Sequence, residues 1–219
     1  MKIGIIGAGN IGGTLAKRLA KLGHDVSVAN SRGPETLATL AAESGVKALR
    51  VEDVARGADV VIVTIPMKNV PKLQRGVLDE ANPHAAVIDT CNYYPKQRDG
   101  LIAEIESGMP ESRFVESHVG RPVVKVFNGI SAKNLMERGV AKGTPGRMAL
   151  PVAGDDEIAK RMVMDLVEEL GFTAVDAGGL DESWRQQPGT PSYGAETDDA
   201  GLRRALADAS LERTGEWRA

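Results

Sequence analysis

Gly7-Ala8-Gly9-Asn10-Ile11-Gly12 is the segment whose residue types and spacing point most directly to chemistry in this chain of 219 residues. A GxGxxG run means little alone. Here it follows the apolar run 2–6, which reads as a strand, and it opens a helical pattern over 11–22. That is the context in which the glycines acquire roles. Gly7 permits a tight turn, Gly9 lets the backbone approach a pyrophosphate, and Gly12 lets the helix pack closely on the strand. Asn10 and Ile11 begin the helix, whose free N–H groups and positive dipole end suit an anion. The implied chemistry is the binding of a dinucleotide.

The second strand candidate selects the dinucleotide. A site for NAD places Asp or Glu about 20 residues beyond the glycines, on the ribose hydroxyls. This strand ends instead in Ala29-Asn30-Ser31-Arg32, with no acid. Arg32 and the Ser31 hydroxyl suit a 2′-phosphate through charge-assisted hydrogen bonds, and Asn30 adds a neutral one. The expected cofactor is NADP(H).

The elements that position these residues alternate. Apolar runs at 2–6, 25–29, 60–65, 86–89, 123–127, 150–152 and 173–176 read as buried strands. Helical patterns fall at 11–22, 34–43, 70–80, 100–107, 133–137 and 157–170. The last is amphipathic, with Ile158, Met162, Val163, Leu166, Val167 and Leu170 on one side. Asp155 or Asp156 caps its start and Gly171 ends it. The alternation predicts an α/β fold, a Rossmann-like doubly wound and mainly parallel sheet with a short C-terminal extension. Residues 1–180 are expected to form the nucleotide-binding domain, and 181–219 a loop rich in Pro and Gly followed by a charged helix near 198–211.

The GxGxxG run, Asn30-Ser31-Arg32, Thr64-Ile65-Pro66 and Val126-Phe127-Asn128 together resemble the NADP oxidoreductases that use the deazaflavin coenzyme F-420. They are also similar to the cytosolic reductase domain of the six-transmembrane metalloreductases. The resemblance runs over roughly residues 1–180 and implies NADP lying across the carboxyl ends of a parallel sheet. It implies that Thr64, Ile65 and Pro66 lie along the cofactor toward its nicotinamide end, with Asn92 and Asn128 at later strand ends near the ring. The implied activity is hydride transfer between NADPH and a flavin-like, deazaflavin or related small acceptor. The 184–194 tail has no counterpart in the pattern of the deazaflavin enzymes, which leaves the acceptor open.

Hydride transfer to a flavin needs no strong protein acid, whereas carbonyl chemistry usually needs a placed Lys, His or Tyr. His118 is the one candidate acid, before the 123–127 strand. His24 reads as structural and His84 as solvated. Cys91, at a strand end, reads as a buried thiol with nothing to activate it. Tyr93 and Tyr94 either wall a ring or cover the sheet edge. Trp184, Arg185 and Tyr193 either close over a substrate or anchor the tail. Two other readings fit the residues: a reductase of a small carbonyl or imine, and a non-catalytic NADP(H) sensor. The β-hydroxyacid dehydrogenases and imine reductases share the opening fingerprint but carry a helical C-terminal domain, which the roughly 90 residues given after Asn128, still partly strand-like, are not expected to form.

Composition narrows the class. A net charge of −3 with interspersed signs lacks the basic footprint of nucleic-acid binding. No metal-ligand spacing is present. One cysteine excludes an internal disulfide and fits a reducing compartment. The opening apolar run is too short for a signal peptide, and no stretch approaches the roughly 20 apolar residues of a membrane span. The expectation is a cytoplasmic protein, with a homodimer as the commonest assembly of such enzymes.

Overall fold

The computed structural model describes residues Met1–Ala219. Six parallel strands form the main sheet: β1 (Lys2–Ile6), β2 (Asp25–Ala29), β3 (Lys47–Ala48), β4 (Val60–Val63), β5 (Ala86–Asp89) and β6 (Val124–Lys125). Their spatial order is β3-β2-β1-β4-β5-β6, all neighbours parallel. The chain order reverses between β1 and β4. That is the position where an open α/β sheet forms a crevice at its carboxyl edge. β7 (Ala149–Val152) and β8 (Thr173–Asp176) make a separate parallel pair, joined to β6 by an antiparallel bridge between Lys125 and Ala153.

The sheet is apolar on both faces, as parallel strands covered by helices must be. Ile3, Ile5, Val60, Ile62 and Ile88 point into one core with α1 (Asn10–Lys21) and α6 (Glu157–Glu169). Ile6, Val61, Val63 and Val87 point into the other, against α4 (Glu111–Val119). Gly4 is required in β1 because a Cβ there would lie 2.3 Å from the Val54 carbonyl oxygen. The remaining helices are α2 (Ala38–Ser44), α3 (Ala103–Glu106), α5 (Ala132–Glu137) and α7 (Asp199–Ala207).

Several expectations need correcting. Residues 70–80 are not a helix: a 3-10 segment at Met67–Lys72 gives way to turns. Pro71 lacks the N–H an α-helix needs, and Gly76 has a φ of +78°. The sixth strand is only Val124–Lys125, because Phe127 takes a φ of +62° and ends the extended run. Helix α4 lies where no element was expected, and the two-residue β3 was missed. Ile158, expected on the apolar side of α6, is 73% exposed, since it lies in the first turn away from the core.

Asp156 caps α6, its Oδ1 accepting from the N–H groups of Ile158 and Ala159 at 3.0 Å each. Asp156→Ala should lower unfolding stability by about 1 kcal/mol, read by urea denaturation.

Candidate functional site

A cleft of about 820 Å³ opens at the carboxyl edge of the sheet, lined by the segments that follow three strands. Gly7, Ala8 and Gly9 follow β1, Asn30, Ser31 and Arg32 follow β2, and Thr64, Ile65 and Pro66 follow β4. These are strand ends on both sides of the topological reversal, so nine residues distant in sequence meet in one crevice.

The glycines hold the geometry. Gly7 has a φ of +115°, and a Cβ on it would lie 2.2 Å from the Thr64 carbonyl oxygen. A Cβ on Gly12 would lie 2.0 Å from the Gly7 oxygen, so β1, its turn and α1 are in direct backbone contact there. Gly9 is different: nothing lies within 4 Å of its Cβ position, and the residue is exposed. It caps α1 without a side chain, and the first helical bond runs from the Gly13 N–H to the Gly9 carbonyl at 2.8 Å. The amides of Asn10, Ile11 and Gly12 therefore precede the bonded turn, as in any helix start. Asn10 itself faces a neighbouring groove that also contains Arg32.

The turn after β2 is built by Asn30. Its Oδ1 accepts from the Arg32 N–H at 2.8 Å and its Nδ2 donates to Thr36 Oγ1 at 2.9 Å. With both ends of the amide engaged, Asn30 shapes the loop. Ser31 and Arg32 are exposed at its tip, and the Arg32 guanidinium makes no ion pair or hydrogen bond. Glu52 is the one carboxylate of the lining and sits 3.8 Å from Arg50.

The far wall comes from the segment that sequence periodicity had read as helix. Leu73 and Val77, with Val51, give it an apolar surface, and Asn69, Lys72 and Gln74 add polar groups. Lys72 Nζ donates to Asn69 Oδ1 at 3.1 Å. The apolar spacing of this wall imitates a helix face, and Pro71 is the residue that interrupts it.

Asn92 and Asn128 meet each other rather than the cleft. Asn92 Nδ2 donates to the Asn128 carbonyl at 2.8 Å, and Asn128 Nδ2 donates to Asn92 Oδ1 at 3.0 Å and to the Gln186 carbonyl at 2.7 Å. They staple the ends of β5 and β6 to the loop beyond β8. His118 lies on α4, its Nδ1 2.8 Å from the Phe114 carbonyl and its ring 4.4 Å from the Phe114 ring centroid. The structure brings neither His118 nor Cys91 into the cleft lining. Cys91 is buried, and desolvation, reinforced by Asp89, pushes its thiol well above the usual range. His24 sits 3.2 Å from Glu169, and His84 is exposed. Tyr93 is fully buried, with its hydroxyl donating to the Gly100 carbonyl. Tyr94 meets Tyr193 hydroxyl to hydroxyl, which ties the tail to the end of β5. Trp184 stacks under the Arg185 guanidinium at 4.4 Å.

Behind the strand ends lies a buried charge network that the sequence did not announce. Lys125 and Asp89 are both fully buried, 3.1 Å apart. Asp89 also accepts from Ser112 Oγ at 2.8 Å and from the Cys91 N–H at 2.7 Å. Glu111, fully buried, accepts from the Tyr93 N–H at 3.0 Å and from Arg213 Nη2 at 2.9 Å. Burial raises the Glu111 carboxyl from 4.5 to about 7, against the opposing pull of Lys125 and Arg213. Below pH 4.5 the group is neutral in both folded and unfolded chains. As pH climbs to about 7 the unfolded chain ionises first, so folding stability falls by about 3 kcal/mol across that interval. Glu111→Gln should remove this part of the pH slope, seen by denaturant unfolding at a series of pH values.

Residues 2–93 match the sequence model of the family described as NADP oxidoreductase, coenzyme F420-dependent. The metalloreductase STEAP3 of Rattus norvegicus is 28% identical over 180 residues, covering 82% of this chain and 34% of its own. The crystal structure of the hypothetical protein SMa0349 from Sinorhizobium meliloti is 32% identical, with a TM-score of 0.74 over 89% of this chain and 94% of that one. A protein of Arthrobacter sp. FB24 assigned as an F420-dependent NADP reductase is 25% identical, with a TM-score of 0.68 over 84% of this chain and 87% of that one. The chain spans about half, or less, of the length of the curated relatives it matches. No helix is long and apolar enough to cross a membrane. The likeness to the NADP oxidoreductases described as coenzyme F420-dependent thus rests on residues 2–93, which carry the glycine turn and strands β1 to β5.

Proposed function

We propose that this protein is an NADP(H)-dependent oxidoreductase that exchanges hydride between NADPH and a flavin-like or deazaflavin acceptor. The observation that carries the cofactor assignment is the free Arg32 guanidinium beside Ser31 at the acid-free end of β2, in a cleft that also contains Gly7 and Gly9. The residues fit the cofactor: the open space at Gly9 is a cradle that a Cβ would fill, and the first amides of α1 border it. Gly9, Asn10 and Ile11 would hold the pyrophosphate. Ser31 and Arg32 would hold the 2′-phosphate on a loop that Asn30 keeps in shape. Val51, Leu73 and Val77 offer an apolar wall suited to an adenine face. Thr64, Ile65 and Pro66 would orient the nicotinamide half, and Asn92 and Asn128 would act on it only through the strand ends they brace.

Bound NADPH supplies the hydride. The protein's part is to position the ring and exclude water. No histidine or tyrosine is among the 17 residues lining the cleft, and its one lysine, Lys72, sits on the far wall with Nζ donating to Asn69 Oδ1 at 3.1 Å. That composition favours an acceptor whose own ring takes up the charge over a carbonyl that needs a side-chain acid.

The test is NADPH oxidation followed with FMN, FAD, a deazaflavin, ferric chelates and simple carbonyls. Rapid turnover with a flavin or deazaflavin, and none with carbonyls, is the expected result. Turnover with a carbonyl or imine and no flavin would replace the acceptor class. Tight NADPH binding with no turnover on any acceptor would point to a sensor.

A further inference from the structure

Two neighbouring stretches at the carboxyl edge of the sheet depart from the charge balance of the chain. Residues 60–78, which are β4 and the wall after it, contain Lys68, Lys72 and Arg75 and no carboxylate. Residues 90–98, which follow β5, contain Lys96 and Arg98 and again no carboxylate. The whole chain has a net charge of −3. Arg98 is matched by Asp99, whose Oδ2 it meets at 3.0 Å. The other four cations are exposed and in no ion pair.

The fold sets the two stretches side by side. Pro95–Asp99 is a single helical turn, and Asp99 ties it to the cleft wall. Its Oδ1 accepts from the Lys68 N–H at 3.3 Å and its Oδ2 from the Tyr94 N–H at 2.8 Å. Lys68 Nζ donates to the Arg98 carbonyl at 2.7 Å, and Lys96 Nζ to the Gly215 carbonyl at 2.6 Å. An ammonium has three donors, and each of these spends one on an uncharged oxygen. Two donors and the full charge remain on each. Tyr94 stands at the start of the same turn, half-buried, with the Arg98 guanidinium 4.8 Å and the Trp217 ring 5.9 Å from its centroid. Glu216 and Arg218, on the C-terminal segment that Lys96 touches, offset each other. Pro66, Asn69 and Lys72 line the cofactor cleft, so this basic ledge borders it.

We propose that the ledge binds the anionic tail of the hydride acceptor, and that the acceptor is therefore a flavin-type molecule carrying a phosphate. This rests on the reading of the cleft as a hydride-transfer site with Pro66 toward its nicotinamide end. The ring of such an acceptor meets the cofactor in the cleft. Its phosphate, several bonds away, lies outside on Lys68 and Lys96 and takes charge-assisted hydrogen bonds from them. Both lysines are exposed, so the attraction is screened by salt.

The test is a titration of the full chain, saturated with NADP+, with FMN and with riboflavin, read by flavin fluorescence. The two share a ring and differ in the phosphate. FMN should bind at least about tenfold more tightly, and this advantage should shrink at least about threefold from about 0.05 M to about 0.5 M salt. Lys68→Gln combined with Lys96→Gln should reduce it to less than about twofold, while Lys→Arg at both positions should keep most of it. Glutamine retains a donor for each carbonyl, so an unchanged melting temperature accompanies the loss. Equal binding of FMN and riboflavin would overturn the ledge, as would no binding of either or an FMN advantage unaltered in the glutamine pair. A fall in NADP+ affinity in that pair would overturn it too, since the lysines would then serve the cofactor. NADPH oxidation is read separately. Preferential FMN binding without oxidation would support the ledge and remove the hydride-acceptor reading. Oxidation by both flavins at equal affinity would keep that reading and overturn the ledge.

Discussion

Arg32→Asp should raise the Kd for NADPH by about a hundredfold or more and leave NADH binding within a few-fold of its starting value. The guanidinium has no internal partner to lose, so the variant should fold normally. Its loss removes a charge-assisted bond to the 2′-phosphate of about 1.5–3 kcal/mol, and the new carboxylate adds repulsion of like charge. The aspartate would also stand where NAD sites place their acid, so the preference between the two cofactors should narrow or invert. Fluorescence titration of the variant with both nucleotides reads this directly. A hundredfold loss for NADPH and NADH alike would mean that Arg32 supports the loop and not the phosphate. Unchanged NADPH affinity would remove Arg32 from the site.

The second large effect separates two glycines of one motif. Gly12→Ala should destabilise the fold by more than about 3 kcal/mol, because its Cβ would lie 2.0 Å from the Gly7 oxygen and 2.7 Å from Thr64 Cγ2. Backbone on one side and a strand end on the other leave no room to yield. Gly9→Ala should fold within about 1 kcal/mol of the parent, since Gly9 has a φ of −75° and open space at its Cβ position. The methyl group would occupy that open space, so NADPH affinity should fall at least about tenfold while thermal stability holds. A Gly9→Ala variant that binds NADPH normally would show that the pyrophosphate does not pass over this position.

The parts of the site that were legible in the sequence are those whose signal is local. The glycine turn sits between a five-residue apolar run and a helical repeat, and strand ends follow from where each apolar run stops. Asn30-Ser31-Arg32 could be placed for the same reason. The far wall of the cleft was hidden because Val70, Leu73, Val77 and Leu78 have helical spacing, and Pro71 with Gly76 overrides it. Pro71 was visible, and its missing N–H is the signal that would have broken the helix. Asn92 and Asn128 have the residue type of ligand contacts, but their partners are each other and Gln186, which is 58 positions from Asn128. No local pattern carries such a pairing. Lys125 likewise sits within an apolar run as an unremarkable lysine, and only the fold buries it against Asp89. Helix α4 escaped notice because Pro110 and Gly120 bound a short, mixed stretch whose buried face includes Glu111 and Ser112.

The central claim is that this cleft selects NADPH, and the most direct measurement is a side-by-side titration of the unmodified chain with NADPH and NADH by nucleotide fluorescence. The account predicts that NADPH binds at least about thirtyfold more tightly, the preference that one charge-assisted phosphate contact of about 2 kcal/mol supplies. Equal affinity for the two nucleotides, or tighter binding of NADH, would contradict it and leave Arg32 and Ser31 without a role in cofactor choice.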